Sequence, residues 1–204
     1  MLNKARGPIG RVVAPLVRAL ARTPLTANGL TIVGTLGALG GALLLADGQL
    51  FAGSMVVWFF ALFDLLDGRL AKARGGGTVW GALLDSTLDR VTDGAVFSAV
   101  VWHFSRDSSE QPWIAGLALY CLVSGGVISY VKARAEGLGI RCDVGIAERA
   151  ERLILVLLGT GFDGIGVPYI LAVMLWLLAV ASTVTVVQRM VHVHGQAAHL
   201  APTG

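Results

Sequence analysis

Long uncharged apolar runs, separated by short polar breaks, constrain this chain more than any other feature. Thr23 to Ala46, Gly48 to Phe63, Gln111 to Val131 and Gly164 to Gln188 contain no Asp, Glu, Lys or Arg. Each approaches or exceeds the ~20 helical residues that cross the hydrocarbon core of a bilayer. Only 14% of the 204 residues are charged and mean hydropathy is +0.72, whereas soluble domains carry about 25% charged residues. The chain reads as an all-α membrane protein.

Two further apolar runs, Gly94 to Ser105 and Leu153 to Phe162, are too short to cross alone. They become long enough if their helices begin near Val79 and Ala147, within sequence that carries charge. Those helix starts must then hold carboxylates or arginines in a water-filled cavity at one membrane face, where charge inside a span marks function. Six transmembrane helices follow, with both termini on one side. Placing that side in the cytoplasm leaves Arg106 as the one basic residue in the predicted outer loops, out of sixteen Lys and Arg in the chain. That distribution obeys the positive-inside tendency. It also accounts for most of the +3 net charge, so nucleic-acid binding need not be invoked.

Residues 1–22 precede the first span. Val13, Leu16, Val17 and Leu20 repeat at helical spacing while Arg11, Arg18 and Arg22 mark another face, which predicts an amphipathic helix at the membrane interface. Residues 23–191 form the membrane domain, and 192–204 are expected to be a short, disordered cytoplasmic tail. Its His192, His194 and His199 are an incidental tract rather than a metal site. Cys121 reads as a buried structural thiol, and with Cys142 it forms no framework.

The stretch most informative about chemistry ends the second span and opens the third. Asp64 and Asp67 stand three apart; Asp85 and Asp89 stand four apart. Each spacing puts two carboxylates on one helix face. A short cytoplasmic loop makes the two helices antiparallel, so the four carboxylates are expected to converge in a polar cavity just inside that face. Convergent anions in low dielectric call for a cation. All-oxygen ligation suits Mg²⁺ or Mn²⁺, and two such ions make a clamp for a phosphoryl group. Gly68 and Gly81 would let backbone approach a ligand closely. Gly75 to Gly77 read equally as a flexible connector or a phosphate cradle. Lys72 and Arg74 are placed to neutralise pyrophosphate oxygens.

From Asp64 to Asp89 the sequence resembles the signature of the CDP-alcohol phosphatidyltransferases, D-x2-D-G-x2-A-R-x8-G-x3-D-x3-D, with Lys72 where the signature has Arg. Lysine keeps the charge but loses the bidentate fork. Leu25 to Thr31 resembles the family's nucleotide-contacting approach to the first span. Arg90 to Phe97, Ser129 to Glu136 and Glu148 to Ile154 resemble the actinobacterial subgroup that makes phosphatidylinositol phosphate. The resemblance implies CDP-diacylglycerol as donor, 1D-myo-inositol 3-phosphate as acceptor, CMP as by-product and a homodimer. It implies donor contacts at Asn28, Thr31, Gly68, Lys72, Arg74 and Thr78.

Ser129 and Lys132 end the fourth predicted span, Arg152 opens the fifth and Arg189 ends the sixth. Positive-inside topology explains some of these cations. In the subgroup, the positions they resemble bind the acceptor phosphate. Asp89 is the candidate general base for the acceptor hydroxyl. Glycerol 3-phosphate is the alternative acceptor, which would make phosphatidylglycerophosphate. An ion-coupled transporter is the alternative of another class, although its site usually lies near the bilayer midplane between repeats, and no repeat is visible here. The shared carboxylate cluster predicts that chelation or Asp85→Asn abolishes turnover, measured as lipid product; substantial residual activity in either case would refute a metal clamp.

Overall fold

The computed structural model describes residues 15, 17–19, 22–106 and 111–200, with backbone alone for Leu65 and 198–200. Six long helices follow in order: α1 (Ala27–Ala46), α2 (Leu50–Ala73), α3 (Val79–Arg106), α4 (Pro112–Gly137), α5 (Arg149–Asp163) and α6 (Ile170–Leu200). No strand occurs among the described residues. The chain divides into two compact units, residues 1–96 and 97–204, and the boundary falls inside α3.

Among the described residues, four helices are long and apolar enough to cross a membrane: α1, α2, α4 and α6 through Ala197. The other two fall short of that description for different reasons. The α3 helix has 28 residues but carries Asp85, Asp89 and Arg90 in its first half and Asp93 at its middle. The α5 helix has 15 residues, about 22 Å of rise against a hydrocarbon core of about 30 Å.

Local chemistry sets the helix ends in the first unit. The Thr26 hydroxyl caps α1 by accepting from Gly29 N at 3.0 Å, and Thr78 caps α3 by accepting from Gly81 N at 2.9 Å. At the end of α2, Gly75 and Gly76 take φ of 101° and 115°, and Gly76 N returns to Ala71 O at 3.0 Å. Only glycine adopts such angles at little cost. These glycines therefore have a definite job as a helix stop, and "flexible connector" describes them poorly.

The α1 and α2 helices pack along a seam of small residues. A Cβ on Gly53 would lie 2.8 Å from both Gly41 O and Leu45 N, and one on Gly41 would lie 2.9 Å from Val57 N. Backbone meets backbone there, which no larger residue permits. Further along the seam, a Cβ on Gly34 would lie 3.0 Å from the Phe63 Cβ.

The predicted interfacial helix lies largely outside the described residues. Residues 15 and 17–19 are helical, and Val17 is buried with Leu30, Leu66 and Leu70.

In the second unit α6 packs on both α4 and α5. Leu153, Val156 and Leu157 of α5 and Leu171, Leu175 and Leu178 of α6 are buried. Cys121 is fully buried, its thiol 3.5 Å from Leu175 O. Cys142 is buried too, beside Ala135 and Ile140. The tail departs from expectation, since α6 continues as helix to Leu200. Its side chains find partners: His192 Nε2 is 3.1 Å from Arg141 O, and Gln196 Nε2 donates to the same carbonyl at 3.3 Å.

Gly41→Val is expected to lower the thermal stability of the detergent-purified protein by about 1–3 kcal/mol or more, through overpacking. Gly40→Ala, whose Cβ meets nothing within 4 Å, should leave the melting temperature unchanged or raised.

Candidate functional site

In the first unit the signature carboxylates lie on α2 and α3. Asp67 is buried at 5% exposure, while Asp64, Asp85 and Asp89 are half-buried. The Asp67 Oδ2 accepts a hydrogen bond from Thr31 Oγ1 at 2.6 Å, and its Oδ1 accepts from Gly68 N at 2.5 Å. Asp64 and Asp85 are close enough to act on Asp67 electrostatically. Among the described residues, no three His, Cys, Asp or Glu side chains are gathered in a geometry ready to hold an ion. Of the four carboxylates expected to converge, Asp64 and Asp85 act on Asp67 through their charge, and the described residues show no such gathering that includes Asp89. The donor set itself fits a hard divalent cation: carboxylate oxygens, with the buried Asp67 carboxylate held by one hydrogen bond on each oxygen.

Of the residues expected to hold the donor, Thr31 lies on Asp67, and the others fall into three situations. Asn28 and Thr78 come together at Gly81, where a Cβ would lie 3.0 Å from Asn28 Oδ1 and 3.1 Å from Thr78 Oγ1. Glycine at 81 thus keeps the Asn28 amide in place. Arg74 does something the sequence did not reveal: its Nη1 and Nη2 donate to Leu25 O and Thr23 O, both at 2.6 Å. It braces the segment that leads into α1. Lys72 and Gly68 are exposed, and a Cβ on Gly68 would meet nothing within 4 Å. The chain's own packing places no demand for glycine at 68.

The second unit holds a cluster of cations around the end of α4. Arg152 is buried at 2% exposure and Arg189 at 4%. Gly125 makes room for Arg152, since a Cβ there would lie 3.0 Å from its Nε. Arg189 donates from Nε to Val144 O at 2.9 Å and from Nη1 to Ile128 O at 2.6 Å. Burying a guanidinium is costly unless its donors are met, and these carbonyls meet part of that need. Ser129 donates to Gly125 O at 3.0 Å. Lys132 donates to Asp143 at 3.1 Å and lies 3.8 Å from Glu136. The bond and charge of Lys132 hold the exposed Asp143 carboxyl below its usual range. The pair therefore persists at neutral pH and is lost only as pH falls through that lowered value.

Thr185 was not singled out from the sequence, yet it organises the loop beside these cations. Its Oγ1 accepts from Ile146 N at 3.1 Å and Ala147 N at 3.0 Å. Gly145, at φ 129°, passes so close that a Cβ would lie 2.5 Å from the Thr185 methyl. The available signal was spacing: Thr185 and Arg189 are one helical turn apart on the buried face of α6.

With that geometry in place, comparison with known proteins defines the class. Residues 24–193 match the CDP-alcohol phosphatidyltransferase family, and the chain belongs to it. It is 50% identical over 190 residues to the phosphatidylinositol phosphate synthase of Mycobacterium tuberculosis, spanning 91% of this chain and 87% of that protein. It is 40% identical over 208 residues to the synthase of the same description from Streptomyces avermitilis, spanning 97% and 84%. The crystal structure of the M. tuberculosis enzyme with CDP-DAG bound superposes with a TM-score of 0.82, at 50% identity, covering 90% of this chain and 94% of that one. The same enzyme in complex with manganese and citrate gives 0.81, covering 88% and 87%.

Proposed function

We propose that this chain makes phosphatidylinositol phosphate, transferring the phosphatidyl group from CDP-diacylglycerol to 1D-myo-inositol 3-phosphate with release of CMP. The observation that carries this reading is the Asp64 to Asp89 signature, folded with Asp67 buried and fixed, in a chain 50% identical to the M. tuberculosis phosphatidylinositol phosphate synthase.

The protein is a membrane enzyme that uses a divalent metal. Asp64, Asp67, Asp85 and Asp89 hold it, as two ions, Mg²⁺ or Mn²⁺. When bound, the metal supplies charge stabilisation at the phosphorus under attack and on the departing nucleotide. Asn28, Thr31, Gly68, Lys72, Arg74 and Thr78 hold the donor, and Arg74 does so in part by bracing the residue 23–25 backbone. Asp89 takes the proton from the acceptor hydroxyl as that oxygen bonds to the phosphatidyl phosphorus and the bond to CMP breaks. Ser129, Lys132, Arg152 and Arg189 hold the acceptor phosphate. Burial of two arginines favours this role over a purely topological one, because positive-inside charge has no reason to be buried. The Lys132–Asp143 pair opens when the phosphate takes the ammonium.

Six membrane spans, with both termini in the cytoplasm of a cell-membrane protein, complete the picture. Two copies associate as a homodimer. The α3 helix, at 28 residues, is long enough for such a topology.

Arg152→Ala is expected to raise the acceptor KM or lower kcat by on the order of 10²-fold, as for loss of a charge-assisted contact, with CDP-diacylglycerol binding nearly unchanged. Free inositol should be a poor substrate of the wild type. If free inositol reacted as well as its phosphate and Arg152→Ala changed neither parameter, the acceptor assignment would fall while the transferase assignment stood.

A further inference from the structure

The hydroxyl of Thr31 has one proton and two acceptors within reach. Ala27 O lies at 3.1 Å and Asp67 Oδ2 at 2.6 Å. A helical threonine ordinarily gives its proton to the carbonyl four residues back. Thr35, one turn further along the same buried face, does this with Thr31 O at 3.0 Å. Thr31 departs from that habit. Its contact to Asp67 falls in the 2.5–2.7 Å range typical of a hydroxyl on a carboxylate. An ionised carboxylate can only accept, so the proton belongs to Asp67.

Two consequences follow from where this bond sits. Thr31 and Asp67 are each 5% exposed, so water does not compete readily for either partner. The bond also bridges two helices whose separation is fixed independently by the Gly34, Gly41 and Gly53 seam. Thr31 therefore cannot follow Asp67 if that side chain turns away; it selects one rotamer. With Gly68 N on the other oxygen, the carboxylate plane is pinned at both ends, and each oxygen keeps a lone pair for a further ligand.

We infer that Thr31 is a positioning residue for divalent-cation binding, acting through Asp67 and not only as a contact to the nucleotide. This rests on the metal assignment proposed above. Groups that orient a ligating side chain typically change metal affinity about 10–100-fold when removed.

The test is direct Mn²⁺ binding to the full-length, detergent-purified chain without CDP-diacylglycerol, read from loss of the free-ion electron paramagnetic resonance signal. Thr31→Val, which keeps the shape and removes the hydroxyl, should weaken Mn²⁺ binding about tenfold or more. Thr31→Ser should restore wild-type affinity, and Thr31→Ala replaces the valine variant if that protein does not fold. In an Asp67→Asn background, Thr31→Val should add no further loss of Mn²⁺ binding. Unchanged Mn²⁺ affinity in Thr31→Val, with a raised KM for CDP-diacylglycerol, overturns the inference and leaves Thr31 as a donor contact alone. A wild type that turned over without binding Mn²⁺ would remove the metal assignment itself, and the inference with it.

Discussion

The close approach of α1 and α2 is the constraint on which the first unit depends. Helices meet at such distance only where side chains are removed, and Gly41 and Gly53 remove them from both partners. Once the backbones touch, register is no longer free. Thr31 is brought opposite Asp67, and Val17, Leu30, Leu66 and Leu70 close around the same end of the pair. Hydrophobic burial could hold two apolar helices in many registers. The glycine seam and one buried hydrogen bond select among them.

The second unit handles buried charge with a different device. Arg189 is met by backbone carbonyls, those of Val144 and Ile128. A carbonyl can satisfy an N–H without neutralising the cation. The guanidinium thus keeps its charge for an anion, which a carboxylate partner would partly cancel. Lys132 has carboxylates close by, Asp143 and Glu136. It is also the more exposed of these cations, so screening weakens the pairing and exchange for a phosphate is cheap.

Apolar runs located all six helices, because the cost of leaving them in water dominates every local preference. The signature located the carboxylates and gave their faces. Side-chain partners were beyond its reach. Nothing in the spacing of Arg74 says that its fork reaches back to Thr23 O and Leu25 O, and Lys72, the neighbouring cation, stays exposed. The helical tail was missed for a similar reason. His192 and Gln196 look polar and terminal in sequence, yet both bond to the Arg141 carbonyl on a neighbouring loop. Gly75 and Gly76 were ambiguous until their positive φ showed a helix stop. The Arg74 and tail contacts arise when chain segments far apart in sequence meet, and a linear pattern does not encode the meeting.

The measurement that bears most directly on the account is identification of the lipid formed by the purified chain. It would be supplied with CDP-diacylglycerol, Mg²⁺ or Mn²⁺, and a set of alcohols containing 1D-myo-inositol 3-phosphate, glycerol 3-phosphate and free inositol. The account predicts phosphatidylinositol phosphate as the dominant product by mass spectrometry, with CMP released in equal amount. Phosphatidylglycerophosphate as the dominant product, or CMP release with no new lipid, would contradict it.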